Sequence, residues 1–171
     1  MDSTLQKSQY LKLSKLWLIV ASVRLQAINN LSILQGETMD QQVIKPVERF
    51  FTAFGQGDSD SLLETLHEDI IIEVEGPASL PVYRTYRGKT EARRFIEELG
   101  RSFQTQQFDI QTLMGQENTV MAAGAFQHLV VPTGKTFKSA WALRCEIKDD
   151  KIAHYRFYEN TAAAVEAFQT A

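Results

Sequence analysis

The chain has 171 residues, 44% hydrophobic and 23% charged, with a formal net charge of -3. That suits one domain with a proper core and leaves little room for two, and the scattered Lys and Arg residues form no basic patch for a nucleic acid. The single cysteine, Cys145, excludes an intramolecular disulfide and every multi-cysteine zinc pattern, so a reducing, cytoplasmic setting is expected.

Residues 1–38 read differently from the rest. Lys7, Lys12 and Lys15 precede a short apolar run, Leu16 to Ala21, extended by Val23. A basic start before such a run outlines a secretory signal, but the run is far too short for a spanning helix, which needs roughly 20 apolar residues. Leu13, Leu16, Val20, Val23, Ala27, Leu31 and Leu34 also fit one helical stripe. A signal or membrane-surface segment, an amphipathic helix packing on the domain or a partner, and a segment outside the working protein all compete. The third is adopted, with translation expected to start at Met39 and the domain to occupy 39–171.

From Met39 onward, Val43, Val47, Phe50, Phe51 and Phe54 recur at helical spacing. Pro46 is expected in the first turn, and Gly55 and Gly57 mark the end. Asp58 or Ser61 caps a short second helix ending near His67; Ser61 to Glu64 has capping-box spacing. Ile70, Ile71, Ile72 and Val74 read as a strand. Gly76 to Gly88 reads as a loop. Thr90 is expected to cap a third helix, with Ala92, Phe95, Ile96, Leu99 and Phe103 as its buried stripe. The period then becomes alternating, predicting strands at Phe108–Leu113, Thr119–Val131, Phe137–Ile147 and Ile152–Tyr158. Pro132 to Lys135 and Lys148 to Lys151 make the turns. Ala162, Val165 and Phe168 close the chain as a short helix. Helices followed by consecutive hairpins predict an α+β fold whose long, curled sheet encloses a cavity under the helices.

Several segments together resemble one family. Val47-Glu48-Arg49-Phe50-Phe51 through Gly57-Asp58 is similar to the first helix and turn of the ketosteroid isomerases. Gly76-Pro77, Leu80-Pro81, Tyr86-Arg87-Gly88 and Asp150-Lys151-Ile152 leading to Tyr155–Thr161 resemble the SnoaL-like pattern. The resemblance covers roughly residues 41–168 and extends to the superfamily related in fold to nuclear transport factor 2. It implies a cystatin-like curved antiparallel sheet wrapped around N-terminal helices, a conical barrel with an apolar pocket, often dimeric through the sheet. It does not imply one chemistry. The isomerases' Tyr, Asp base and second Asp fall at Phe50, Val74 and Trp141 or its neighbour; a Phe cannot donate the hydrogen bond and a Val cannot take a proton, so the isomerase mechanism is not expected. The Asp-Arg-Asp set of the limonene epoxide hydrolases falls at Gly124, Phe126 and Phe157.

Those placements set a register. Side chains alternate faces, so the pocket face is expected to carry Gly124, Phe126 and His128; Ser139, Trp141 and Leu143; and Tyr155, Phe157 and Glu159. His128 is the candidate general base or acid, since histidine titrates near neutral pH; the alternative is a hydrogen-bonded histidine near a hairpin end. Glu159 is a candidate acid if buried by Phe126 and Trp141; otherwise it caps the last helix or is solvated. Tyr155, Tyr83 and Tyr86 are candidate donors to a substrate carbonyl, though tyrosines more often pack with one structural hydrogen bond. Val74, Phe126, Ser139, Trp141, Leu143 and Phe157 complete the expected pocket wall, with core packing as the alternative. Glu73 and Glu75 share a face pointing away from the pocket. His67, His128 and His154 lie on three elements without ligand spacing, so no metal or other cofactor is expected. Cys145 is expected opposite the pocket face, as a buried thiol. Two function classes follow: a homodimeric module binding a lipophilic small molecule, or a cofactor-independent acid/base enzyme using His128, Glu159 and Tyr155.

Overall fold

A computed structural model describes residues 39–170; the readings of residues 1–38 lie outside the described residues. The aromatic stripe of the first helix becomes α1 (Met39–Gln56), with Val47, Phe50 and Phe51 buried. Pro46 lies well inside this helix rather than in its first turn. Gly57 ends α1 in the left-handed region, φ 66°, where a missing Cβ removes the steric cost. Asp58 caps α2 (Ser59–Glu64), accepting from the Ser61 amide at 3.0 Å and the Ser61 hydroxyl at 2.7 Å. Ser61 therefore is not the cap. His67 belongs to β1 (Leu66–Val74), which starts earlier than its isoleucine run.

A three-residue strand, β2 (Thr85–Arg87), interrupts the expected loop. α3 (Gly88–Ser102) follows at once, and the Glu91 carboxylate, not Thr90, takes the Arg87 amide at 2.7 Å. Phe103 adopts extended geometry and starts β3 (Phe103–Gln116), five residues before the predicted Phe108. Register shifts at Thr105/Gln107 and Ile110/Thr112 break the alternation there, which hides this strand's length. β4 (Thr119–Val130), β5 (Thr136–Lys148), β6 (Lys151–Glu159) and α4 (Thr161–Phe168) lie within a residue or so of expectation. The α4 cap is Asn160, whose side chain accepts from the Ala163 amide at 3.2 Å.

The six strands form one curved, unclosed sheet in the order β2-β1-β6-β5-β4-β3. All neighbours are antiparallel except β1 and β6, which run parallel and join the start of the sheet to its last strand. α1 packs across β3 to β6 and α3 against β1 and β2, so both helices cover the same, inner face. On β4 the inner face carries Val120, Ala122, Phe126, His128 and Val130, all buried. On β5 it carries Phe137, Ser139, Trp141, Leu143 and Cys145. Cys145 thus shares the pocket-side face instead of opposing it, because its odd position follows Leu143 by one full pleat. At Gly124 the inner face has no room for a side chain: a Cβ would overlap the Asp109 carbonyl oxygen and press on the Trp141 ring.

Candidate ligand cavity

The inner face does not pack shut. α1, α3 and the concave sheet leave a cavity of about 530 Å³, within the size range of small-molecule sites. Its wall is mostly ring and aliphatic carbon: Phe50, Phe51 and Phe54 from α1, Phe95, Ile96 and Leu99 from α3, and Phe103, Phe108, Phe126, Tyr155 and Phe157 from the sheet. The helical residues among these read from sequence as core stripe. They do form the helices' buried faces, but the space between helix and sheet makes them wall.

Of the sequence-predicted residues, Val74, Phe126, His128, Tyr155, Phe157 and Glu159 line this cavity. Val74 and Phe157 are direct partners across the parallel β1–β6 pair. Tyr83, Tyr86, Ser139, Trp141 and Leu143 are outside the lining. Trp141 forms a layer behind it, stacked on Phe108 at 4.9 Å and Phe157 at 5.6 Å, with a buried indole N–H that has no partner. Tyr86 packs on Phe95 at 5.2 Å and donates its hydroxyl to the Val82 carbonyl at 3.2 Å. Ser139 accepts from the Asn160 amide at 2.9 Å, fixing the chain just after Glu159. Leu143 is core.

Tyr83 acts through Glu159. Its ring lies against Gly76, where a Cβ would collide with it. Its hydroxyl donates a short hydrogen bond to Glu159 Oε1. Burial raises the Glu159 carboxyl to about 7, against a smaller opposing effect of the Tyr83 hydrogen bond. The Tyr83 hydroxyl is itself pushed far up, by burial first and then by the neighbouring carboxylate. Tyr155 is likewise raised, mainly by burial. This end of the cavity therefore holds a carboxyl that exchanges its proton near neutral pH.

His128 sits between Phe126, stacked at 4.1 Å, and Phe103 at 5.2 Å. Burial lowers it to about 4, so the ring is neutral at pH 7, and its Nδ1 is buried without a partner. On the intervening β5, His128 pairs with Phe137 and Glu159 with Trp141. Four residues of strand separate these positions, about 13 Å. The two groups stand at different parts of the cavity and do not form one acid/base pair.

Among the described residues no group of His, Cys, Asp and Glu could hold a metal ion, and no helix is long and apolar enough to cross a membrane.

Comparison with known proteins agrees with this architecture. The chain is similar in fold to an NTF2-like protein from Burkholderia xenovorans LB400, with 24% identity, 78% of this chain and 100% of that chain covered, and a TM-score of 0.71. It is also similar to TerC co-crystallized with polyporic acid, with 15% identity, 74% and 97% coverage and a TM-score of 0.67. A provisionally named isomerase from Bacillus subtilis gives 21% identity, 75% and 93% coverage and a TM-score of 0.64. A search of curated proteins gives no match. The family model for the SnoaL-like domain matches residues 47–155, a span running from the middle of α1 to the middle of β6, and the chain therefore belongs to the SnoaL-like family.

Proposed function

We propose that this chain binds a small apolar or aromatic molecule in the cavity, with the Glu159–Tyr83 pair as its polar end. The observation that carries this reading is a largely aromatic space of about 530 Å³ beside one half-buried carboxyl. Burial of apolar ligand surface supplies the affinity, and the polar pair fixes orientation. The protein works in the cytoplasm as a homodimer built on residues 39–171. The outer face of β4 and β5 supports the dimer: Ala123 faces Ala142 and Ala125 faces Ala140, a flat small-residue strip next to exposed Met121 and Met114. Sedimentation of the full chain as a monomer at micromolar concentration would remove the dimer.

The test of binding is uptake of the neutral fluorescent probe N-phenyl-naphthylamine. Enhanced, saturable fluorescence is expected, together with its loss in Leu99→Trp, which fills the wall beside α3. Saturation unchanged by Leu99→Trp would place the probe elsewhere and defeat the reading.

A second reading is cofactor-independent acid/base catalysis of the isomerase, cyclase or hydrolase type. It rests on Glu159 alone, because a carboxyl held at about 7 can both give and take a proton near neutral pH. Its mark is turnover of a bound ketone or epoxide that vanishes in Glu159→Gln while binding persists.

A further inference from the structure

The charges around the cavity are one-sided. Among the described residues its lining contains two carboxylates, Asp58 and Glu159, and no Lys or Arg. Asp58 is committed to capping α2 through both of its oxygens. His128 supplies no cation, since burial keeps it neutral. The basic side chains of the neighbouring strands, Arg144, His154 and Arg156, lie on the opposite face and are paired there with Glu146, Glu73 and Glu75. Glu159 accepts one hydrogen bond, from Tyr83 at Oε1. A carboxylate has capacity for several more. The wall of the same cavity carries the rings of Phe50, Phe95, Tyr155 and Phe157, and an aromatic face carries the negative end of the ring quadrupole.

An anionic occupant would meet two like charges and no counter-charge in this space. A neutral one would leave Glu159 without a counter-charge. A cation would find the counter-charge that Glu159 lacks, with ring faces to replace part of its hydration. We propose that the cavity's ligand is a lipophilic amine: one protonated nitrogen that pairs with Glu159, carried on an aromatic or alicyclic body that lies among the rings of the cavity wall. This rests on the small-molecule reading of the cavity and narrows it to one charge class.

The experiment is calorimetry on the full chain at about pH 8, above the Glu159 value of about 7, where an alkylamine remains protonated. The probes share one ring system: naphthylmethylamine, naphthylmethanol and naphthoate. The amine should bind roughly tenfold or more tighter than the alcohol, the gain of a desolvated cation–ring contact plus a charge-assisted hydrogen bond, and naphthoate should not bind. Glu159→Gln should bring the amine down to the affinity that the same variant shows for the alcohol, and a cooperative urea transition shows that the variant is folded. Equal or tighter binding of the alcohol, binding of naphthoate, or an amine preference that survives Glu159→Gln overturns the amine assignment. If all three fail while N-phenyl-naphthylamine still enters, the amine assignment falls and the binding reading stands. If that probe fails as well, both fall.

Discussion

The two faces of the same sheet treat the same residue type in opposite ways. On the outer face, Glu73 meets His154 at 2.8 Å and Glu75 meets Arg156 at 2.5 Å, all within reach of water. On the inner face, one or a few residues further along the same strands, Glu159 has a tyrosine hydroxyl and no cation. The outer carboxylates are solvated and balanced, so they do ordinary surface work. The inner one is partly desolvated and has no cation beside it, and that imbalance gives it a chemistry. Which face a carboxylate takes is decided by a single step of strand alternation.

The contrast can be broken most severely at Gly124, because the inner face there is in contact with backbone. Gly124→Ala should cost several kcal/mol, about 3 or more, seen as a large fall in the denaturation midpoint. A variant melting near wild type would mean that β3 does not cross β4 as closely as described.

The next effect is electrostatic and depends on pH. The folded-state Glu159 value of about 7 lies above its ordinary 4.5. The folded protein therefore holds that proton over a range where the unfolded chain has released it, and stability falls as pH rises from about 4.5 to 7. The loss relative to Glu159→Gln should be on the order of 3 kcal/mol. His128 works in the other direction: its value drops from 6.5 to about 4, so stability falls as pH decreases from about 6.5 to 4, by a similar order. Urea melts of wild type, Glu159→Gln and His128→Gln across pH 4 to 8 separate the two slopes. Parallel curves for wild type and Glu159→Gln would show that the inner carboxyl is solvated after all.

Tyr83→Phe should be milder, about 1 kcal/mol above pH 7 and less below it, because the lost hydrogen bond favours the ionised carboxylate. Carboxyl-carbon NMR should show the Glu159 titration moving further up. The smallest effect belongs to the outer face. Glu73→Gln should move the melting midpoint by no more than about 3 °C, the usual scale of an accessible ion pair. A larger drop would make the two faces more alike than their burial suggests.

Much of this contrast was legible in the chain itself. The family resemblance anchors which face of Phe126, His128, Trp141, Leu143, Tyr155 and Phe157 turns inward, alternation carries that along each strand, and the same register turns Glu73 and Glu75 outward. The family resemblance supplied the cone. The links between distant positions were not legible. Tyr83 could be named as a donor, but its partner lies 76 residues away, and no local pattern records that. β2 is too short for periodicity, and the bulges of β3 scramble its alternation. Cys145 shares the parity of Leu143 and with it the inner face, which strand alternation alone makes readable. The helical phenylalanines were readable as buried but not as cavity wall, since a stripe shows which side is covered and not how far away the covering surface stands.

The parallel pairing of β1 with β6 has a consequence for how the protein is made. β1 is synthesised early, yet its partner on that side arrives only after β2, α3, β3, β4 and β5 have followed. That strand also brings Tyr155, Phe157 and Glu159 to the cavity. On the ribosome the helices and the central hairpins can assemble locally, but the long-range closure must wait, as non-local pairings generally do. The cavity therefore matures in one late event, and a chain stalled before β6 would carry an open trough of phenylalanine rings without Glu159.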